Sequence, residues 1–168
     1  MKRGIFVDIP NEYSNVLWKV LKPIDITVFD WQVMGREEAY IIIGNELGPE
    51  LFSEDNEIME GSELKKLIKD NIYYLLFLDL KACPKGEVIG EIATFEEFKE
   101  SKCEVVVLVA DGEYIQIYAK NQEEIEMMYE NAVNQGFYVE YITDENDGRT
   151  RLSVWQQFER GKAIWREI

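Results

Sequence analysis

The residue types that could do chemistry are most concentrated at 144–151, in the stretch DENDGRTR. Acidic and amide side chains precede a glycine there, and two arginines follow. An EF-hand calcium loop needs a glycine at its sixth position and a glutamate at its twelfth, but counting from Asp144 these positions hold Arg149 and Trp155. The spacing therefore excludes an EF-hand. It favours a hairpin loop in which residues 146–148 adopt positive φ angles and Asp144 forms side-chain turn bonds.

The two arginines of this stretch open a predicted strand that ends at Trp155. Residues two apart on a strand point to the same side, so Arg149, Arg151 and Trp155 share one face. Arginine and tryptophan are enriched in protein interfaces. We therefore predict a binding surface at these three residues. The alternative is that both arginines pair with acids of a neighbouring strand, such as Glu140, on a solvated face, since exposed charge pairs are common.

A second group of chemically capable residues lies in an acidic stretch, 44–60, which Gly48 and Pro49 interrupt. We predict an irregular loop there, and a long loop in a compact domain is often functional. Its carboxylates suit a basic protein partner or a weakly held divalent cation, and simple flexibility explains them equally well. The residues that we single out in this acidic loop are Glu50, Glu54, Asp55 and Glu57.

Several reaction classes are excluded by what the sequence lacks. It has no histidine, so Ser/Cys-His-acid triads and the usual zinc sites are absent. It contains neither a phosphate-binding loop nor a GxGxxG motif. Its two cysteines, Cys83 in a predicted loop and Cys103 at the start of a predicted strand, are isolated and suit free thiols in a reducing cytosol. We therefore predict no catalytic residue, no metal ligand and no cofactor, and we favour a protein that is not an enzyme.

The net charge of −15 restricts the partners. Residues 144–168 hold as many basic as acidic residues, so the whole excess of acid lies in 1–143. Such a surface repels the phosphate backbone, and we expect no nucleic acid partner. Opposite charge favours a basic protein. No apolar run approaches the roughly 20 residues of a membrane span, and Asp8 and Pro10 interrupt any signal sequence, so we expect a cytoplasmic protein without a membrane partner.

The elements that must position these residues follow from hydrophobic periodicity and turn signals. Strands are predicted at 4–9, 24–34, 39–43, 72–80, 88–92, 105–110, 114–119, 137–142 and 150–155. Helices are predicted at 12–21, 62–69, from 94 onward, at 121–135 and in the tail 156–168. Asn11 is predicted to cap the helix at 12–21, and the helix at 121–135 has Asn121 as its cap and Gly136 as its stop. Its apolar stripe comprises Ile125, Met128, Tyr129, Ala132 and Val133.

These elements predict a single α+β domain over 1–168. We expect a mostly antiparallel sheet with helices packed on one face, because the continuous apolar run 105–110 indicates a strand covered on both faces. The order strand, helix, strand, turn, strand occurs in 4–43 and again in 113–155. The chain therefore has two possible βαββ-like halves, 1–60 and 103–168, with a connecting segment.

Three segments resemble a known family. They are KRGIxxxIPNEY at 2–13, LKPIDI at 21–26 and YITDENDxRTRLSVW at 141–155. The chain resembles, over most of its length, a family of small proteins from Bacillus-type bacteria that is classed as a domain of unknown function. The resemblance implies a cytoplasmic bacterial protein and carries across no site residues.

Together these observations favour a non-enzymatic binding protein whose acidic body engages another protein. One concrete form is an immunity-like or inhibitor-like protein that masks a basic toxin or nuclease, since opposite charge speeds the encounter. Two alternatives stay open. The first is an enzyme that uses carboxylates, with or without a divalent metal. The second is a structural homodimer built through the Arg149/Arg151 strand or the C-terminal tail.

Overall fold

The structure is a computed structural model that describes residues 1–35, 38–52, 57–87 and 90–153. The strands of the described residues are β1 (Lys2–Asp8), β2 (Phe29–Met34), β3 (Ala39–Ile43), β4 (Glu46–Glu50), β5 (Ile58–Glu60), β6 (Tyr73–Leu75), β7 (Phe77–Pro84), β8 (Val105–Ala110), β9 (Tyr114–Ala119) and β10 (Tyr138–Thr143). The helices are α1 (Val16–Leu21), α2 (Gly61–Asp70), α3 (Phe95–Glu100) and α4 (Gln122–Asn134), and a 3₁₀ turn spans Ile26–Val28.

Seven strands form one large antiparallel sheet in the order β10-β1-β9-β8-β7-β2-β5, and three form a small sheet in the order β4-β3-β6. The small sheet is antiparallel as well. The fold is thus α+β with mostly antiparallel sheets, as predicted. No helix of the described residues has both the length and the apolar character that a bilayer crossing requires.

The centre of the large sheet is the hairpin β8–β9. Every residue of β8 is buried, which confirms the prediction of a strand covered on both faces. The connection comprises Asp111, Gly112 and Glu113, of which the first two have φ angles of 58° and 66° and the third donates its N–H to the Ala110 carbonyl (3.1 Å). Positive φ at both central residues is the geometry of the tight hairpin turn that an Asp-Gly pair favours.

The two faces of the large sheet bury different layers. On the first face, helices α1, α2 and α4 cover alternate strand residues such as Ile5, Leu80, Val107 and Ile117. On the second face, a smaller cluster forms around Val106, Leu108 and Tyr118, and α3 contributes Phe98 to it. The Thr94 side chain caps α3 in a capping box with Glu97.

Helix α4 closes the first face over β1, β9 and β10. The Asn121 side chain accepts hydrogen bonds from the backbone N–H groups of Glu123 (2.9 Å) and Glu124 (3.1 Å), so the predicted cap is confirmed. Gly136 follows with a φ of 86°. Val133 does not belong to the buried stripe, since half of its surface is exposed.

Helix α1 is shorter than predicted. It begins at Val16 because residues 11–15 are drawn into an extended contact, in which the Ser14 carbonyl accepts from the N–H of Tyr73 (3.1 Å). The Tyr73 hydroxyl in turn accepts from the N–H of Leu17 (3.1 Å). A tertiary contact therefore supplies the helix start that Asn11 was predicted to provide.

Other predicted boundaries are corrected by strand pairing. The stretch 44–60 is not an irregular loop throughout, because β4 pairs with β3 and β5 pairs with β2. The strand predicted at 72–80 is split at Leu76 and then runs on to Pro84, so Cys83 is buried in β7 and not in a loop. Residues 90–92 form no strand.

The proposed βαββ-like halves are not arranged alike. Strands β1 and β2 are separated by three strands of the large sheet, whereas β9 and β10 are separated by β1 alone. Gly4 permits this close approach of β1 to β9, since a Cβ at that position would lie 1.8 Å from the Ile117 carbonyl oxygen. The two segments of similar element order therefore occupy different positions in the large sheet.

Candidate functional site

Arg149 and Arg151, the two described residues of the predicted surface, do not lie on a strand. Residues 150–153 form no strand, and Trp155 lies outside the described residues. The segment 150–153 instead contacts residues near α3. The Leu152 N–H donates to the Ala93 carbonyl (2.9 Å), and Leu152 is buried in the second-face cluster. The segment thus crosses the second face of the large sheet instead of pairing with β10.

Arg149 consequently points inward. Its Nε donates to Gln116 Oε1 on β9 (2.9 Å), and its Nη1 lies 3.4 Å from the Arg151 carbonyl. None of the ion pairs among the described residues includes Arg149. Burial lowers the pKa of its guanidinium. The guanidinium therefore donates to neutral acceptors in a partly desolvated position, and the negative charges of Asp147 and Asp79 offset part of the effect of burial.

The hydrogen bonds that stabilise the turn before Arg149 differ from the predicted ones. The Asn146 side chain accepts from the Thr143 N–H (2.8 Å) and donates to the Tyr141 carbonyl (3.0 Å). Residues 146–148 have no positive φ. Asp144 does not make the predicted turn bonds, because Arg3 Nε donates to its carboxylate at 2.9 Å and holds its pKa below the usual range.

Asp147 ties this turn to the sheet. Its nearly buried carboxylate accepts from Arg3 Nη1 (3.1 Å), from the Tyr118 hydroxyl (3.2 Å) and from the Arg149 N–H (3.0 Å). Burial is the main cause that raises the pKa of Tyr118. Asp147 is thereby well compensated for its burial.

Sequence reasoning missed the ion pair Asp79–Lys81 on β7. Lys81 Nζ lies 2.6 Å from Asp79 Oδ1, and both side chains are at most 5% exposed. Asp79 Oδ2 has no hydrogen-bond partner among the described residues. Burial raises the pKa of the Asp79 carboxyl, and Lys81, followed by Ser153 and Arg149, offsets part of this rise. The only signal was an acid and a base two residues apart within an apolar run, which places both on one strand face.

These side chains form one polar layer on the second face, which we define as Asp79, Lys81, Gln116, Asp147 and Arg149. The strand register explains it, because Asp79 lies opposite Leu108, which lies opposite Gln116. No group of three or more cysteine and acidic side chains is arranged for a metal ion within the described ranges.

Of the residues singled out in the predicted acidic loop, the two that the structure describes lie at different sheets. Glu50 lies at the exposed end of β4, and Glu57 is exposed just before β5. Glu54 and Asp55 lie outside the described residues. The structure thus brings Glu50 to the small sheet, and it is there that an exposed surface with both apolar and acidic character is found.

The small sheet has one buried and one outward side. Its inner residues Ala39, Tyr73 and Leu75 belong to the main core. We call the outward side the outer face. The strand register places Tyr40 beside Tyr74 and Ile42 beside Leu47 on this side. The Ile42 N–H donates to the Ile72 carbonyl (2.9 Å), which places Ile72 there as well. The outer face comprises Tyr40, Ile42, Leu47, Ile72 and Tyr74, with Tyr13 in edge contact with Tyr74 at 5.9 Å between ring centroids.

The outer face is accessible. Leu47 is 55% exposed, Ile72 46% and Tyr13 42%. Exposed apolar side chains grouped within a polar rim are a feature of interaction sites in soluble proteins, so the outer face is a candidate binding surface. A sequence signal existed in the run Tyr40-Ile-Ile-Ile43, whose continuous apolar character suits a strand that is apolar on both sides.

The rim of the outer face is acidic. The segments 11–15, 38–52 and 70–76 that build it contain no lysine or arginine. Their acids are Glu12, Glu38, Glu46, Glu50 and Asp70. Glu50 lies directly opposite Tyr40 in the register, and so on the outer face itself. None of these acids is part of an ion pair among the described residues.

Comparison with known proteins identifies the family but no activity. The chain is 45% identical to "Uncharacterized protein YncE" of Bacillus subtilis (strain 168) over 92% of its own length and 100% of that protein's. No solved structure matches it. The family model described as "Protein of unknown function (DUF2691)" matches residues 2–153, which include the outer face and the polar layer. The resemblance to a small uncharacterised Bacillus-type family is therefore confirmed, and the chain belongs to the DUF2691 family.

Proposed function

We propose that this protein is a non-enzymatic, acidic protein-binding module whose outer face binds a basic partner protein. The observation that carries the proposal is the combination of exposed apolar residues and an acidic rim without basic residues on the small sheet. Apolar contact supplies affinity at the centre of such an interface. Charge at the rim supplies encounter rate and partner choice.

The charge of the rim argues for a different protein as partner and against a second copy. Two outer faces brought together would place Glu46 and Glu50 of each copy close to the same acids of the other. Like charges that face each other at an interface destabilise the complex by several kcal/mol. A partner with lysine and arginine around an apolar centre turns the same acids into favourable contacts.

The edge of the small sheet supports binding through side chains. Strand β4 is at the edge of the sheet and carries Pro49, which has no N–H to donate to an added strand. Proline and charge at an edge are devices that oppose strand addition. The partner is therefore expected to contact Tyr40, Leu47 and their neighbours on the outer face.

The proposal includes a cytoplasmic location and an immunity-like or inhibitor-like role, in which the partner is a basic toxin or nuclease that the acidic face masks. Cys83 and Cys103 are both buried free thiols, which suits a reducing compartment. Burial raises the pKa of the Cys103 thiol to about 12, so this cysteine is unreactive at neutral pH.

The test compares two lysine substitutions at equally exposed aliphatic positions. Leu47→Lys changes the outer face, and Val133→Lys makes the same change on α4, where the side chain is also half exposed. A partner captured from a lysate of the host at low salt is purified and titrated against each variant by calorimetry. We expect Leu47→Lys to weaken binding about tenfold or more, and Val133→Lys to bind like the wild type.

The rim is tested by Glu46→Lys/Glu50→Lys in the same titration. Reversing two charges is expected to slow association and to reduce its salt dependence. The proposal is overturned if the purified partner is acidic, if it binds both lysine variants equally, or if the wild-type chain captures only itself at every salt concentration.

A further inference from the structure

A cavity on the second face of the large sheet is separate from the outer face. Its volume is about 410 Å³, within the range of small-molecule pockets. Aromatic and aliphatic side chains from three strands form most of its wall, and Gln116 and Arg149 supply the polar part. The lining residues are Phe6, Leu108, Ala110, Tyr114, Gln116, Gly148 and Arg149.

The strand register accounts for the apolar wall. Leu108 lies opposite Gln116, which lies opposite Phe6, so the three side chains line one row across β8, β9 and β1. Ala110 and Tyr114 form the next row. The small side chain of Ala110, between larger neighbours, leaves the open volume.

A second cavity of about 280 Å³ adjoins the first at Phe6, Gln116 and Arg149 and is polar, with Glu140 and Asp147 in its wall. Arg149 therefore lies where an apolar chamber meets an acidic one. Asp147 is already engaged by Arg3 and Tyr118, whereas the Arg149 side chain donates to Gln116 and the Arg151 carbonyl and lies near Asp147 and Asp79 without forming an ion pair with either.

We propose that this cavity binds a small organic carboxylate, with its apolar body between Phe6, Leu108, Ala110 and Tyr114 and its carboxylate on the guanidinium of Arg149. A partly desolvated arginine whose donors form no ion-pair contact with a carboxylate gains most from a bidentate anion. Gln116 holds Nε of Arg149 and so fixes the plane of the guanidinium. Glu140 and Asp147 repel a carboxylate from the adjoining chamber. The carboxylate is therefore expected at the junction, on Arg149, and the apolar body in the apolar chamber.

The test uses 2-naphthoate and its neutral counterpart 2-naphthamide as probes, titrated into the full chain by calorimetry or ligand-observed NMR. The two probes share one apolar body and differ in charge. We expect saturable one-to-one binding of naphthoate, about tenfold or more tighter than that of naphthamide. Equal affinity for the two probes, or no saturable binding of naphthoate, overturns the proposal.

Three variants locate the site. Arg149→Met is expected to bring naphthoate down to the affinity of naphthamide and to leave naphthamide binding unchanged. Ala110→Phe fills the apolar chamber without touching the charge and is expected to abolish binding of both probes. Lys66→Gln removes one positive charge from the exposed side of α2 and is expected to change neither affinity. Circular dichroism confirms the fold of each variant, and naphthoate binding that survives both Arg149→Met and Ala110→Phe in folded protein contradicts the assigned site.

Discussion

Asp79 and Lys81 bring opposite charges into a core that is otherwise nearly all apolar. A buried ion pair is weak evidence for stability, because desolvation of both ions offsets their attraction. Removing one partner is different, since it leaves an uncompensated charge. Asp79 Oδ2 already has no hydrogen-bond partner among the described residues, so Lys81 Nζ at 2.6 Å is the main compensation of this carboxylate.

We therefore predict that Lys81→Met lowers the free energy of unfolding by about 3 kcal/mol near neutral pH. The double variant Asp79→Leu/Lys81→Met is expected to be at least as stable as the wild type, because both desolvation costs disappear. Urea denaturation of the two variants measures this. Lys66→Met, at an exposed lysine, is the control with an expected change below about 0.5 kcal/mol. A single variant as stable as the double variant would contradict the prediction.

The pH dependence of Lys81→Met is a separate prediction. Burial raises the pKa of the Asp79 carboxyl in the folded protein, so the folded state binds this proton more tightly than the unfolded state. Protonation of Asp79 therefore stabilises the folded protein. This stabilisation is fully present below the pKa that Asp79 has in the unfolded chain, and it is lost as the pH rises through the pKa that it has in the folded protein. Without Lys81 the folded pKa rises further. The stability deficit of the variant, measured by urea denaturation, is expected to be smaller at about pH 5 than at about pH 8. A deficit that does not change with pH would show that Asp79 is not the cause.

At this scale the sequence identified Arg149 as a residue of interest but not its surroundings. The prediction relied on period-two alternation, which requires a strand. Leu152 instead anchors the segment on the second face, through a contact with Ala93 that is distant in sequence. Arg3, Tyr118 and Gln116 reach the same layer from other strands, and no local pattern connects them.

Among the elements, the two asparagines predicted as helix caps have different roles. Asn121 accepts two backbone N–H groups at the start of α4. Asn11 lies four residues before Asn15, the residue that precedes α1, and it is exposed. The same residue type before an apolar periodic stretch therefore caps one helix and not the other, because a tertiary contact at Ser14 and Tyr73 takes over the start of α1.

We predict that Asn121→Ala lowers the free energy of unfolding by about 1 kcal/mol, since two N–H groups of α4 lose their acceptor. Asn11→Ala is the matched control and is expected to change it by less than about 0.5 kcal/mol. Thermal or urea unfolding followed by circular dichroism measures both. Equal losses in the two variants would contradict the difference that the structure shows.

The contrast between elements explains how much of the fold was predictable. Strands 105–110 and 114–119 were predicted with the bounds that the structure has, because their apolar runs and the Asp-Gly turn are local signals. The split at Leu76 and the strands β4 and β5 were not, since they depend on pairing with β3 and β2. Local chemistry determined the class of the fold, whereas the outer face emerged only from the pairing of strands distant in sequence.

For the whole molecule, the two sheets differ in how well their hydrogen bonds are shielded. Strand β8 pairs on both sides and is buried on both faces. Strand β4 pairs on one side only, and four of its five residues are exposed. Buried apolar contact and shielded backbone bonds determine the free energy of local opening. The central hairpin and the small sheet are thus expected to open separately.

We predict that amides of β8 and β9 exchange with deuterium only through global unfolding, whereas amides of β4 exchange at least about a hundredfold faster. Hydrogen exchange followed by mass spectrometry measures both in one experiment, and the free energy of unfolding from urea gives the global limit. A partner bound at the outer face is expected to slow exchange in β3 and β4 and to leave β8 unchanged, because a ligand stabilises only the openings that release it. If β4 were as protected as β8 in the free protein, the small sheet would belong to one cooperative unit with the core. Binding of a partner at the outer face would then slow exchange in β4 and β8 alike.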